Sequence, residues 1–260
     1  MKTGGQLIVA ALEANGVERI YSVPGESYLA VLDALHDSGI SNIVCRQEGG
    51  AAMMADCEGR LTGRPGVCFV TRGPGATNAS PGIHIARQDS NPVVMFVGQV
   101  ARDNLEREAF QEVDYKAFFG SMAKWVVEID DAARIPELVT RAFAVAASGR
   151  PGPVVVSLPE DMLTDTVEAP DPLPYVPVET SPGEAEIAAT LELLEKAERP
   201  FVILGGTRWT ADGVAAMSRA LEAWKLPVGC SFRRQALCDH LSANYAGDVG
   251  IGINPKLADY

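Results

Sequence analysis

Three short segments hold the residues whose types and spacing suit chemistry. In Arg46-Gln47-Glu48-Gly49-Gly50-Ala51-Ala52 a strand-like run ends, a run of small and apolar residues begins, and one carboxylate, Glu48, stands at the junction. A helix amino terminus favours a negative charge by about 0.3–1 kcal/mol at an exposed site. Burial beside Met53 and Met54 would oppose the charged form and suit the group to proton transfer. Spacing alone leaves two readings open, a proton-transferring carboxylate and an ordinary first-turn capping glutamate. The second segment, Thr71-Arg72-Gly73-Pro74-Gly75-Ala76-Thr77-Asn78, is a glycine-rich turn between a buried strand and a helix. Such turns present backbone donors to anionic or polar ligands. Asn78 stands where a dinucleotide fingerprint has its third glycine, and no G-K-[ST] follows, so the pattern does not read as a nucleotide site. A tight structural turn fits it equally well. Val23-Pro24-Gly25-Glu26 is a third loop of the same kind.

These loops gain meaning from the elements around them. Apolar residues recur at helical spacing over 6–14, and Asn15-Gly16 then offers a left-handed stop. Ile20 to Val23 is strand-like, and Leu29, Leu32 and Leu35 mark a second helix ending near Gly39. The pattern repeats, with strands at 43–45, 67–71 and 93–97 and helices at 51–61 and 76–88. A further helix at 132–147 and a strand at 154–158 complete the domain. Continuous apolar strands alternating with helices imply α/β architecture, a parallel sheet with helices on both faces. All three loops would then follow strands at one edge, where open α/β sheets bind ligands.

Pro170, Pro172, Pro174, Pro177 and Pro182 interrupt the pattern and favour an extended connector. The expected organisation is a first domain over 1–165, a linker over 166–182 and a partial α/β domain over 183–260. The second domain offers two strand and helix pairs, near 184–198, 201–204, 213–224 and 227–230. It then stops in Gly247-Asp248-Val249-Gly250-Ile251-Gly252, which reads as the middle of a domain, so a truncated chain is expected.

The formal charge of −12 would repel a phosphate backbone, and no Lys/Arg stripe reverses it, which argues against a nucleic acid partner. Five cysteines without a C-x-x-C pair argue against a zinc site and a disulfide framework, and fit a reducing cytosol. Leu7 to Leu12 reads as a helix and not a signal peptide, and no run approaches the ~20 apolar residues that cross a bilayer. His36, His84 and His240 are scattered, so neither a metal cluster nor a nucleophile–histidine site assembles from spacing. The three tryptophans and Phe118-Phe119 read as core and not as a stacking platform for bases.

Taken together, the Tyr21 to Pro24 run, Arg46 to Ala52, Gly73 to Asn78, Asp89 to Gln99 and Ala109-Phe110-Gln111-Glu112 resemble the amino-terminal domain of thiamine-diphosphate enzymes. Acetolactate synthase is the nearest likeness. The resemblance continues through Ser148 to Val154 and Pro159-Glu160-Asp161, in order and spacing, over most of residues 3–165. It implies a domain that binds the aminopyrimidine half of thiamine diphosphate, with Glu48 on the ring nitrogen. A carboxylate there favours the ring tautomer that can take the proton from the thiazolium carbon. It also implies that Gly25, Pro74 and Asn78 approach the ring and that Gln111 lies near the reacting carbon. The implied substrate is a 2-oxo acid, and the implied assembly a homodimer or homotetramer.

Three positions depart from the family pattern. Gln47 replaces a histidine, Glu26 replaces a second glycine after Pro-Gly, and Arg72 replaces a small residue. A carboxylate at Glu26 would disfavour a second 2-oxo acid and favour a neutral aldehyde or a cationic acceptor. The family holds magnesium and the diphosphate through a G-D-G motif on a third domain, and Gly247-Asp248-Val249 lacks its final glycine. Residues 1–260 alone are therefore expected to be inactive. The central domain binds FAD in some acetolactate synthases, but Leu204-Gly205-Gly206-Thr207 is no dinucleotide fingerprint. Two other classes compete. A non-catalytic binding or regulatory module of this fold would not need the Glu48 carboxylate. A pyrimidine-domain subunit of a two-chain 2-oxo acid decarboxylase would explain the length without truncation.

Overall fold

The continuous apolar runs form strands buried on both faces in a computed structural model that describes residues 1–260. The chain divides into two compact units, Met1–Val178 and Glu179–Tyr260. In unit 1 the elements are β1 (Lys2–Thr3), α1 (Gly4–Ala14), β2 (Arg19–Ser22), α2 (Leu29–His36), β3 (Ser41–Val44), α3 (Glu48–Thr62), β4 (Gly66–Val70) and α4 (Pro74–Asp89). They continue with β5 (Val93–Gln99), α5 (Tyr115–Phe119), β6 (Trp125–Glu128), α6 (Ile135–Ala147), β7 (Pro153–Pro159) and β8 (Thr166–Val167). Six strands pair in the order β3-β2-β4-β5-β7-β6, all parallel. The helices connecting them cover both faces, which is the α/β architecture the sequence pattern implies.

Side chains alternate between two cores. Val67 and Phe69 of β4, Val94 and Phe96 of β5 and Val154 and Val156 of β7 pack with α1, α2 and α6. Cys68 and Val70, Met95 and Val97, and Val155 pack on the other face with α3, α4 and α5. Phe69 and Phe96 stack at 4.6 Å between ring centroids. Phe119 is fully buried and meets Phe118 edge to face, so this pair belongs to the core.

Capping chemistry shifts the helix starts from where periodicity puts them. Thr3 accepts from the Gln6 backbone N–H and the Gln6 side chain accepts from that of Thr3, so α1 begins at Gly4. Pro74 opens α4 because its missing N–H is no loss in a first turn. Apart from the two-residue strands β1 and β8, two elements of unit 1 had no signal in the pattern. β6 is a half-buried edge strand of four residues, and α5 has only five.

The carboxyl ends of β5 and β7 are tied by Arg102. Its Nε donates to Asp161 Oδ2 at 2.7 Å, its Nη2 to Asp165 Oδ2 at 2.8 Å and its Nη1 to the Asp130 carbonyl at 2.9 Å. Partial burial works against the charged form of Asp161. The backbone N–H and guanidinium of Arg102 outweigh it and hold the carboxyl below its usual range. A depressed carboxyl contributes stability above its unfolded value and loses it as pH falls through the folded one. Arg102→Gln is therefore expected to lower the urea midpoint at pH 7 by more than at pH 3. An equal gap at both pH values would remove this role.

The proline-rich segment is extended, but part of it is docked on unit 1. The Tyr175 N–H donates to Asn15 Oδ1 at 2.9 Å, Thr140 Oγ1 donates to the Leu173 carbonyl, and β8 pairs with β1. Unit 2 contains α7 (Glu184–Lys196), β9 (Val202–Leu204), α8 (Ala211–Trp224), β10 (Val228–Ser231), β11 (Tyr245–Val249) and a short α9 (Pro255–Ala258). Its three strands are parallel in the order β11-β10-β9, over a core of Leu204, Leu221, Leu226, Val228 and Cys230. The third strand, Tyr-Ala-Gly-Asp-Val, has no apolar run to mark it in the sequence. All five cysteines are free, and no helix is long and apolar enough to cross a membrane.

Candidate active site

Because β2, β3 and β4 are parallel neighbours, the loops after them emerge at one edge of the sheet. The Gly25–Glu26 loop, the start of α3 and the start of α4 meet there. Gly25 packs so closely on Thr71 that a Cβ would lie 2.3 Å from the Thr71 Cβ. Its φ of −153° is extended, so close approach and not backbone freedom requires the glycine. Thr71 also faces Gly75, where a Cβ would lie 2.8 Å from Thr71 Cγ2. Buried Ser27 completes this floor, with its hydroxyl 2.8 Å from that of Thr71 and accepting from the Arg72 N–H.

Glu48 is the first residue of α3 but does not cap it. The Gln47 side chain does so, accepting from the Gly50 N–H at 2.9 Å. The Glu48 carboxylate turns instead to α4, where Asn78 Nδ2 donates to its Oε2 at 3.1 Å. Oε1 lies near Gly75 and takes no hydrogen bond from the chain. Met53 and Met54 are 43% and 45% exposed, so they do not supply the apolar surround expected around this group. Successive helical residues radiate from the axis, and side chains five and six positions on point elsewhere.

A third wall comes from residues 106–112, whose shape departs from regular structure. Glu106, Glu108 and Gln111 have φ of 63°, 52° and 67°. Left-handed conformations in non-glycine residues cost on the order of 1–3 kcal/mol each and persist only when the surroundings enforce them. Glu112 does so: its carboxylate accepts from the N–H groups of Glu106 at 2.6 Å and Ala109 at 3.0 Å. These donors, that of Glu106 foremost, hold the Glu112 carboxyl below its usual range. The Gln111 backbone then lies against Gly73, where a Cβ would sit 2.7 Å from the Gln111 Cβ. Gly73 has φ 57° and donates its N–H to the Tyr115 hydroxyl at 3.0 Å. Burial pushes the Tyr115 hydroxyl up to about 12, so it remains a protonated partner at neutral pH.

Thus Gly25, Glu26, Glu48, Pro74, Asn78 and Gln111 all belong to unit 1, on the loops and helix starts at this one edge. Thr71, Ser27, Tyr115 and Glu112 shape the edge without having been marked as site residues by motif. Of these, only Thr71, in the glycine-rich turn, and Glu112, next to Gln111, stood in segments that the sequence singled out. Glu26 is paired within the fold: Arg72 Nη2 donates to its Oε1 at 2.7 Å. A recess lined by Asn15, Arg19, Tyr21, Glu58, Leu61 and Arg64 lies toward the opposite, amino-terminal edge and shares none of these residues. No group of three or more His, Cys, Asp or Glu side chains is arranged to hold a metal ion.

The arrangement suits a flat polar ring. It offers a carboxylate with one unengaged oxygen, a neighbouring amide, and glycine and proline surfaces that let a ligand approach the backbone. Comparison with known proteins agrees with this chemistry. Residues 2–118 match the family described as thiamine pyrophosphate enzyme, N-terminal TPP binding domain, and residues 187–259 match its central domain. The acetolactate synthase isozyme 2 large subunit of Escherichia coli is 36% identical over 248 residues, covering 95% of this chain and 45% of that protein. The isozyme 3 large subunit of the same organism is 39% identical over 242 residues, with 89% and 42% covered. Acetolactate synthase of Bacillus subtilis is 34% identical over 253 residues, with 96% and 44% covered. The chain spans less than half the length of these relatives. With both of its units matched, in chain order, the protein belongs to the thiamine pyrophosphate enzyme family and carries that family's amino-terminal and central domains.

Proposed function

We propose that the chain supplies the pyrimidine-binding half of an acetolactate synthase-like enzyme that decarboxylates or carboligates a 2-oxo acid, with Glu48 as its catalytic carboxylate. The observation that carries this reading is the Glu48–Asn78 pair, which fixes one carboxylate oxygen and leaves the other open at the crevice. The donor set fits the aminopyrimidine: the open oxygen can hydrogen-bond a ring nitrogen and exchange a proton with it. When bound, thiamine diphosphate supplies a nucleophilic carbon and an electron sink for decarboxylation. Asn78 orients Glu48, Gly25 and Pro74 bound the ring, and Gln111, held in its left-handed conformation, faces the reacting centre. In this reading 1–165 is the pyrimidine domain, 166–182 the linker and 183–260 part of the central domain. Glu26 borders the substrate.

In this reading magnesium and the diphosphate are held by parts of the full-length protein outside residues 1–260. FAD forms no part of this reading, since the turn after β9 lacks the dinucleotide fingerprint. Exposed Val44, at the carboxyl end of β3, and Phe110, next to Gln111, support a homo-oligomer in which a second copy covers the crevice. Free cysteines support a reducing, cytoplasmic setting. The full-length protein is expected to consume pyruvate or a homologous 2-oxo acid only when thiamine diphosphate and magnesium are both present. Chelation by EDTA should abolish the activity. Consumption that survives removal of both, or none with any 2-oxo acid, would overturn the proposal.

A further inference from the structure

The crevice carries one group of charges that the reading above leaves without a task. Arg72 stands between two carboxylates, donating from Nη2 to Glu26 Oε1 at 2.7 Å and from Nη1 to Glu160 Oε2 at 2.8 Å. Its side chain is only 10% exposed, against 67% for Glu26 and 38% for Glu160. Its Nε is buried and has no partner. The backbone of Arg72 is fixed as well, through the hydrogen bond from its N–H to Ser27. The residue lies one position from Gly73, which touches Gln111, and its partner Glu26 lies one position from Gly25. A guanidinium at the edge of the crevice is thus held by carboxylates from two loops, one on each Nη, while its Nε stays unpaired.

An arginine in this place is the natural anchor for a carboxylate ligand, because its planar donors match the two oxygens. Here the anchor is occupied, and one positive charge faces two negative ones. We propose that Arg72 sets the charge of the second substrate: clamped by Glu26 and Glu160, it turns away an anionic acceptor, and the acceptor is an uncharged aldehyde. The inference rests on the reading of the chain as half of a 2-oxo acid enzyme. Exposure of Glu26 does not undo the clamp. A carboxylate tethered to the same fold competes at an effective concentration of at least about millimolar, so a dissolved 2-oxo acid at that level displaces it poorly. The two departures from the family pattern, at positions 26 and 72, are therefore one feature and not two.

This differs from simple repulsion by Glu26, and the difference can be measured. In repulsion, removing Glu26 helps an anion whatever stands at 72. In a clamp, removing Glu26 exposes the Nη2 donors, and the gain requires Arg72. The experiment uses the full-length protein with thiamine diphosphate and magnesium, pyruvate as donor, and acetaldehyde or pyruvate as competing acceptors. The wild type is expected to favour acetaldehyde. Glu26→Ala should shift the ratio of kcat/KM toward pyruvate by about tenfold to a hundredfold, the worth of one charge-assisted hydrogen bond. Glu26→Ala combined with Arg72→Ser should lose that shift. An unchanged ratio in the single variant, or an equal shift in the double variant, overturns the clamp. Glu26→Gln keeps the size of the side chain and must shift the ratio in the same direction by less, which guards against misfolding of the alanine variant. Calorimetric titration of the cofactor-free full-length protein with pyruvate separates this inference from the one beneath it. Tighter pyruvate binding in Glu26→Ala, lost in the double variant, sustains the clamp even if no 2-oxo acid is turned over. Turnover without such tightening leaves the assigned function standing and removes the clamp.

Discussion

Glu48→Gln is expected to lower 2-oxo acid turnover by the full-length protein by about 10²–10⁴-fold, the usual worth of a positioned acid–base group. Each decade corresponds to ~1.4 kcal/mol of barrier, so the effect far exceeds anything the residue contributes to folding. Glutamine keeps the side-chain length, and its amide oxygen can still accept from Asn78 Nδ2, which lies 3.1 Å from the carboxylate. What it loses is the ability to take and return a proton. The competing role, a helix cap, is already filled by Gln47. Loss of the first-turn charge should cost no more than about 0.3–1 kcal/mol of stability. Cofactor binding measured by calorimetry, urea unfolding and steady-state turnover together decide the matter. Turnover within threefold of wild type would show that Glu48 is structural and would favour a non-catalytic module of the same fold. Asn78→Ala should fall between the two proteins, because the carboxylate remains but its orientation is no longer fixed.

Much of this arrangement is legible in the sequence because a buried parallel sheet writes a simple pattern. Val93 to Val97 is apolar throughout because β5 touches both cores, and Pro24-Gly25, Gln47-Glu48 and Gly73-Pro74 each mark the end of such a run. Convergence of these loops follows from parallel strands alone. Three features do not follow. The partner of Glu26 lies 46 residues away, and no local period links Gly25-Glu26 to Arg72. The shape of 106–112 depends on one carboxylate, Glu112, taking backbone donors, which leaves no trace in hydrophobicity. β11 is polar and glycine-bearing, and its pairing with β10 is a tertiary fact. The capping ambiguity at Glu48 was likewise unresolvable by spacing, since both Gln47 and Glu48 can accept from first-turn donors.

The Glu48–Asn78 contact is the end of a longer one, and this sets the second large effect. α3 and α4 both start at the same sheet edge and run side by side, with small residues between them. Four residues beyond Glu48 is Ala52, and four beyond Asn78 is Gly82. A Cβ on Gly82 would lie 2.5 Å from that of Ala52 and 3.0 Å from its carbonyl carbon. Farther along, the buried Asn91 amide donates to Asp56 at 2.8 Å, and Gly59 lies against the Pro92 carbonyl. Gly82→Val places a branched side chain where no atom fits, and the contacted atoms include the backbone of α3. Overpacking of this kind costs about 1–3 kcal/mol. The better helix propensity of valine over glycine returns only about 0.4 kcal/mol, so destabilisation wins. The urea midpoint should fall with an unchanged slope, and turnover should fall as well, because helices forced apart at Ala52 separate Glu48 from Asn78 one turn earlier. A displacement of the order of 1 Å at a reacting group can cost about 100-fold in rate. Ala52→Gly introduced together with Gly82→Val removes the closest contact and should recover part of both losses. A midpoint equal to or above that of the wild type in Gly82→Val would mean that the two helices are free to slide, and that the register of α3 on α4 does not place the carboxylate.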